Sequence, residues 1–256
     1  MIHADLLLRA SDLRAQRRPF VLATVVRAER PTSAKAGDAA LVLADGTLDG
    51  FVGGTCAAST VRSQSLLLLA SGESTLLRIE PSFSGDPSVS EGCVTVANPC
   101  LSGGALDIFL EAMIPPPLVH VLGDAPVARA LVALGEPLGY SVAATVDPAA
   151  PIPPDAVAVV VASHGHDEEP VLAAALRAGV PYVALVASRR RGAAVLSAVD
   201  TPGVARVHSP AGLDIGARTA PEVALSILAE IIASRPRTAP APPVVPPSAS
   251  LLPVLE

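Results

Sequence analysis

The chain has 256 residues, a mass of 25.8 kDa and a formal charge of −6. Its 24 acidic residues outnumber its 18 basic ones and only 2% of it is aromatic. Composition therefore supplies neither a basic face for phosphate backbones nor stacking platforms for single strands, and nucleic acid is not an expected partner. Half of the residues are hydrophobic, yet no run approaches the ~20 apolar residues of a membrane span. Asp5, Arg9 and Asp12 interrupt any secretory-leader pattern. Three cysteines give no disulfide framework. These features predict a cytoplasmic protein of one large or two small domains.

In chain order, Ile2, Leu6, Ala10 and Leu13 recur at helical spacing and predict a first helix. Residues 20–26 read as a buried strand. Residues 39–44 and 47–52 flank Asp45-Gly46, a hairpin signal. Gly53-Gly54 follows, and a helix is predicted from near Thr55 to about Ala70. Further strands are predicted over 74–79, 92–97 and 105–111, with 81–91 a polar Pro/Ser-rich loop. Pro115-Pro116-Pro117 marks a boundary, since consecutive prolines neither pair in a sheet nor build a helix interior.

Beyond that boundary strands and helices alternate. Strands are predicted over 118–122, 141–146, 156–162 and 182–186, and helices over 125–138, 168–178 and 190–199. Thr219-Ala220-Pro221-Glu222 is a capping box opening an apolar helix over 223–233. The predicted class is α/β: an N-terminal mixed α+β domain over 1–114, then a Rossmann-like doubly wound parallel-sheet domain over 118–234. A Pro-rich disordered tail is expected over 235–256.

Gly53-Gly54-Thr55-Cys56 is the most informative local motif. Its glycines permit a close approach of backbone to ligand. Cys56 falls at a helix N-terminus, where the macrodipole favours a thiolate and first-turn amides can hold an anion. A small cysteine packed behind the turn is the plainer alternative. Cys100 lies on another Gly-rich loop, Asn98-Pro99-Cys100-Leu101-Ser102-Gly103-Gly104. Two such thiols can meet around a soft metal such as Cu(I). The absence of a CxxC pair disfavours zinc, and Cys93 reads as packed in a strand. Lys35, the only lysine, sits in the polar loop 31–38 and is either an anion contact or merely solvated.

The first turn of the second domain, Gly123-Asp124-Ala125-Pro126-Val127-Ala128, keeps two of the three small positions of a dinucleotide fingerprint. Ala125 stands where the second glycine lets backbone approach a pyrophosphate. Asp147 follows the second strand, where a ribose-binding acid belongs. Tight NAD or FAD binding is thus weakly signalled. Ser163-His164-Gly165-His166-Asp167 follows a central strand. His164, His166 and Asp167 either serve a metal, a phosphate or a proton relay, or simply open the next helix. Arg189-Arg190-Arg191 is either an anion clamp or a solvated helix start.

Several of these segments together resemble the XdhC/CoxI family of accessory proteins for molybdenum hydroxylases. The resemblance rests on Pro31-Thr32-Ser33, Gly37-Asp38, Asp45-Gly46 and Gly53-Gly54-Thr55-Cys56 in the first domain. In the second it rests on the Gly123 turn, the Ser163–Asp167 segment, Ser188-Arg189-Arg190-Arg191 and the string Pro210-Ala211-Gly212-Leu213-Asp214-Ile215-Gly216-Ala217, followed by Pro221-Glu222 and Ser226-Ile227-Leu228-Ala229-Glu230. It extends over about residues 5–234. The 98–104 segment is similar, more narrowly, to the CoxF-like branch that accompanies carbon monoxide dehydrogenase.

The resemblance implies a maturation factor that binds the molybdenum cofactor and assists its sulfuration, copper loading or insertion into an apo-dehydrogenase. A cysteine desulfurase and other maturation proteins are the further implied partners, and the apolar helices are compatible with a homodimer. Cys56 and Cys100 are the candidate sulfur or Cu(I) contacts. Gly53, Gly54, Lys35, Gly123, Asp147, His164, His166 and Arg189 are the candidate cofactor contacts. Two alternatives stand beside it: an NAD(P)- or FAD-dependent oxidoreductase using Gly123 and Asp147, and a non-catalytic scaffold for a desulfurase and its client.

Overall fold

The computed structural model describes residues 4–81, 83, 86–90, 92–97 and 104–235. Cys100 and the tail from residue 236 lie outside the described residues. The chain divides between Pro115 and Pro116 into two compact units.

The first unit runs α1 (Ala4–Ala15), β1 (Phe20–Glu29), β2 (Ala39–Leu43), β3 (Leu48–Gly50), α2 (Thr55–Ser71), β4 (Thr75–Glu80), β5 (Ser88–Ser90), β6 (Cys93–Ala97) and β7 (Ala105–Met113). Its seven strands lie in the order β3-β2-β1-β7-β4-β6-β5. All neighbours are antiparallel except β4 and β6. The two-residue period of each strand divides its side chains between two cores. Val21, Ala23 and Val25 of β1 join Leu77, Ile79, Ile108 and Leu110 in the core that takes in Val61 of α2. Phe20, Leu41 and Leu43 form the other core with Leu6 and Leu13 of α1.

Two features differ from the sequence reading. β1 continues three residues past Val26, paired with β7 as far as Glu29 opposite Ala105, after an irregularity between Val25 and Arg27. The segment 81–91 is not wholly loop, because Ser88–Ser90 forms the edge strand β5 against β6. All three of its residues are exposed. An edge strand held only by backbone pairing buries no alternate side chain, so no hydrophobic period announces it.

The second unit runs β8 (Leu118–Leu122), α3 (Pro126–Gly135), β9 (Ser141–Thr145), β10 (Ala156–Val161), α4 (Glu168–Arg177), β11 (Tyr182–Leu185), α5 (Arg189–Ala198) and α6 (Ala220–Ser234). Its strands are all parallel, in the order β9-β8-β10-β11. Val119, Val121, Ala158 and Val160 pack with Leu131 of α3 and Ile227, Leu228 and Ile231 of α6. Leu122, Val159, Val161 and Leu185 pack with Leu172 and Leu176 of α4. The unit is therefore a Rossmann-type parallel sheet with helices on both faces. The helix predicted over 125–138 ends at Gly135 and tightens into a 3-10 turn at Glu136–Leu138. Pro137 lacks the N–H that the α-ladder requires. The capping box forms as read: the Thr219 side chain accepts the Glu222 amide, and Glu222 accepts the Thr219 amide at 2.8 Å.

Candidate functional site

In the first unit, three separate segments of sequence converge on one cavity of about 640 Å³. Arg30, Pro31, Thr32 and Ser33 come from the loop after β1, Gly54, Cys56 and Ala57 from the start of α2, and Gly104 from the entry to β7. Ile79 and Leu106 add apolar wall. Gly104 is pressed against the Arg30–Ser33 segment so closely that a Cβ on it would stand 2.2 Å from the carbonyl oxygen of Pro31.

The two glycines before Cys56 differ in kind. Gly53 is buried at φ +129°, and a Cβ there would meet Ala57 Cβ at 3.1 Å. Backbone geometry and packing both demand glycine at that position. Gly54 is the helix N-cap, with φ −67° and ψ 177°, and nothing lies within 4 Å of where its Cβ would be. Neither conformation nor protein packing requires a glycine there. What its missing side chain leaves is open space at the mouth of a helix N-terminus with no side-chain cap. Such a terminus presents amides and the positive end of the macrodipole to an anion. Cys56, half-buried in the first turn, puts a soft sulfur beside it.

Other candidates lie elsewhere. Lys35 is exposed, its amide donates to Asp38 Oδ2 at 2.8 Å, and it is not among the residues lining the cavity. Arg30 is the cation found there. Cys93 is half-buried in β6, with Sγ 4.0 Å from Thr95 Oγ1. Among the described residues, no group of three or more His, Cys, Asp or Glu is arranged to hold a metal ion.

The Gly123 turn lines a second cleft of about 500 Å³ with Asp124, Arg129 and Thr145. Gly123 has φ +116°, and a Cβ on it would lie 2.2 Å from Ala162 O. Its glycine is thus demanded by the neighbouring crossover of the sheet. Ala125 is the buried N-cap of α3, and Pro126 follows at the first helical position with no N–H to offer. Arg129 Nη1 donates to Asp124 O at 2.8 Å, across the same turn. Asp147 is exposed and its Oδ1 accepts the Ala149 amide at 2.9 Å. A pyrophosphate would meet fewer amide donors here than the full glycine fingerprint provides.

A third cleft, of about 550 Å³, opens beyond the carboxyl ends of β10 and β11. The structure brings His164 and Arg189 together here with Arg191 and the 210–217 loop. His166 and Asp167 are exposed and do not line it. His166 Nδ1 lies 3.1 Å from Ser163 O, and Ser163 Oγ donates to His166 O at 2.7 Å. These are contacts within the loop that opens α4. Glu168, at the start of α4, is buried; its Oε1 accepts the Gly165 amide at 3.0 Å and pairs with Arg191.

Of the groups that hold this third cleft, Tyr182 and His208 were not singled out in the sequence, while Gly212 and Glu230 fall in strings that carry the family resemblance. His208 extends the sheet beside β11, with Leu185 N donating to His208 O at 2.9 Å. Its ring stacks on Tyr182, centroids 4.6 Å apart. Glu230 accepts from the Tyr182 hydroxyl at 2.6 Å and the Gly212 amide at 2.8 Å, and His208 Nδ1 lies 2.9 Å from it. A legible signal did exist: Glu230 is the acid set between Ile227 and Ile231 on the apolar stripe of α6.

A Rossmann-type parallel sheet, preceded in sequence by a mixed sheet bearing a Gly-Gly-Thr-Cys turn, defines a two-unit α/β protein. Residues 13–80 match the model of the XdhC and CoxI family, and residues 119–231 match that of the XdhC Rossmann domain. The chain belongs to the XdhC/CoxI family. It is similar to the uncharacterised protein YqeB of Escherichia coli, at 28% identity over 254 residues and 87% of this chain. It spans about half of that relative's length, 45%. It is also similar to a solved chain described as a xanthine dehydrogenase from Bacillus halodurans. That match has 18% identity and a TM-score of 0.43, covering 92% of this chain and 97% of that one. Among the described residues, no helix is long and apolar enough to cross a membrane.

Proposed function

We propose that the protein is a maturation factor for a molybdenum-containing dehydrogenase, holding the molybdenum cofactor as transient cargo in the cavity at Cys56. One observation carries the reading. The Pro31-Thr32-Ser33 loop, the Gly-Gly-Thr-Cys turn and Gly104, far apart in sequence, meet around a single cavity. Its chemistry suits such a cargo. There the uncapped N-terminus of α2 and Arg30 would hold a phosphate, Ile79 and Leu106 would pack on a pterin body, and Cys56 would contact sulfur or Cu(I). The volume falls within the ~300–1,000 Å³ usual for small-molecule sites.

In this reading Cys56 takes part in the finer steps, presentation of the cofactor for terminal sulfuration by a cysteine desulfurase or passage of copper to a carbon monoxide dehydrogenase-type centre. Cys100 is the candidate second thiol. The client apo-enzyme and a second copy of the chain are the proposed partners, and the cytoplasm the proposed compartment.

The test is anaerobic gel filtration of the full chain with free molybdenum cofactor, with molybdenum and pterin quantified in the protein peak. Stoichiometric co-elution that Cys56→Ala abolishes is the expected result. Absence of co-elution, under conditions where an established carrier retains the cofactor, overturns the reading. Redox and scaffold functions would then take its place.

A further inference from the structure

The parallel sheet of the second unit has two edges, and they are finished differently. Beyond β11 the chain returns at His208, which bridges Ala184 in parallel. Leu185 N donates to His208 O and His208 N to Val183 O, both at 2.9 Å. Beyond β9, among the described residues, no strand pairs. Sheet edges are ordinarily guarded by a Lys, a Pro, a bulge or a very short strand. The edge strands β3 and β5 of the first unit have 3 residues each. β9 is Ser141-Val142-Ala143-Ala144-Thr145, 5 residues with neither charge nor proline, in unbroken register with β8.

The hydrogen bonds to β8 fix which backbone groups face outward. Ser141 N donates to Pro117 O at 3.0 Å, and Gly123 N donates to Thr145 O at 2.7 Å. Ser141, Ala143 and Thr145 therefore turn their main-chain groups to β8, and the alternation of a parallel ladder turns those of Val142 and Ala144 to the edge. The rim of that edge is apolar. Val132 of α3 and Val146 are exposed and line one cleft with Ala144, and Leu138, just before the strand, is exposed as well. Opposite charges flank the strand. Asp147 is exposed just past its end, and Arg235 is exposed near its start, 4.8 Å over the ring of Tyr140.

We infer that β9 is the seam of a homodimer, pairing antiparallel with β9 of a second copy about a two-fold axis at Ala143. Val142 then faces Ala144 of the partner subunit, and each such pair exchanges both its N–H and C=O bonds. Ala143 faces the partner's Ala143 as the closely approached pair without hydrogen bonds, which methyl side chains permit. The same register sets Tyr140 opposite the partner's Val146 and Gly139 opposite the partner's Asp147. Arg235, lying over Tyr140, comes beside the partner's Asp147, and the axis repeats that pair at the far end of the seam. A two-fold interface uses one patch on both subunits, and this strand complements itself in hydrogen bonds, apolar contacts and charge. A partner of another sequence would account for the bare edge but not for opposite charges at its two ends. The seam gives a place to the second copy named among the proposed partners. It is independent of the cofactor reading, because its test does not involve the Cys56 cavity.

The experiment is sedimentation velocity of the full chain from about 1 to 200 μM, a range suited to an interface near the lower size limit. A concentration-dependent dimer is expected. Ala143→Lys and Ala143→Glu each set like charges face to face at the axis and should weaken association by about tenfold or more. Ala143 is exposed, so both variants keep the fold, which circular dichroism verifies. Mixed in equal amounts, the two variants should associate again, because only the mixed dimer sets Lys against Glu across the axis. A chain that stays monomeric at the top of the range overturns the inference. So does a dimer that survives in both Ala143 variants, which would lie at another interface, or a mixture of the variants that stays monomeric. A chain truncated after Arg237 that dimerises where the full chain does not would assign the edge to residues 238–256, and overturns it too.

Discussion

Glu230, in the last turns of α6, accepts the backbone amide of Gly212, eighteen residues earlier, at 2.8 Å. The same carboxylate receives the Tyr182 hydroxyl and faces His208. One acid therefore joins α6, β11 and the loop that walls the third cleft. Burial raises its pKa, but the bonds from Tyr182, Gly212 and His208 outweigh burial and leave it below the usual carboxylate value.

Glu230→Gln is expected to lower stability at neutral pH by about 1–3 kcal/mol, the range for a hydrogen-bonded charged group that loses its charge. A carboxyl with a depressed folded pKa stabilises above its unfolded pKa and loses that contribution as pH falls through the folded value. The difference between wild type and Glu230→Gln in urea denaturation should therefore be present at pH 7 and shrink in acid. A pH-independent difference would contradict this account.

Tyr182 titrates the other way. Burial, then the hydrogen bond and charge of Glu230, push its hydroxyl far above the ordinary value of 10.0. The folded chain keeps that proton longer than the unfolded chain, so the contribution is complete below pH 10 and declines as pH rises above it. Tyr182→Phe should cost about 1–2 kcal/mol at pH 7. Its stability should fall less steeply than that of wild type between pH 10 and 11.

His120, in the middle of β8, is buried and its Nδ1 has no hydrogen-bond partner. Burial lowers its pKa. The unfolded chain therefore takes up a proton first as pH falls below about 6.5, and stability is lost there. Replacing an unsatisfied buried ring by an aliphatic group of similar size removes that liability. His120→Leu is expected to gain stability relative to wild type at pH 5 compared with pH 8, measured as the shift in denaturation midpoint at each pH.

The adjacent glycines before Cys56 should separate structure from binding. Gly53→Ala forces a Cβ into a left-handed φ and against Ala57, and should destabilise by about 1–3 kcal/mol. Gly54→Ala meets nothing and needs no change of backbone. Alanine is a poorer N-cap than glycine, which offsets the gain from a less flexible unfolded chain, so stability should change by no more than about 0.5 kcal/mol in either direction. In the cofactor co-elution assay, however, its methyl group projects into the space at the α2 N-terminus and should reduce retention. Full retention by Gly54→Ala would show that this space holds no ligand.

Much of the architecture was legible in the chain. The periods of β8, β10 and β11 and the Thr219–Glu222 capping box are local patterns, because each depends on side chains within one element. So were the Gly53–Cys56 turn and the start of α5 at the three arginines. Edge strand β5 was not legible, since its residues bury nothing. The break at Pro137 was visible as a proline but read as helix, since local apolar spacing continued through it.

The candidate sites divide along the same line. The sequence by itself determined which residue types stand at which turns: a cysteine in a helix's first turn, a cluster of arginines in another, a damaged glycine fingerprint at Gly123. Only the tertiary structure decided which turns share a cavity. It set Arg30, not Lys35, beside Cys56, and it showed that Gly53 is required by the backbone while Gly54 is not. It joined Tyr182, His208, Gly212 and Glu230 through contacts 18 to 48 residues apart. Spacing in sequence encodes the faces of a single helix or strand. The meeting of loops at the ends of a sheet follows from strand order and crossover, which no local period records.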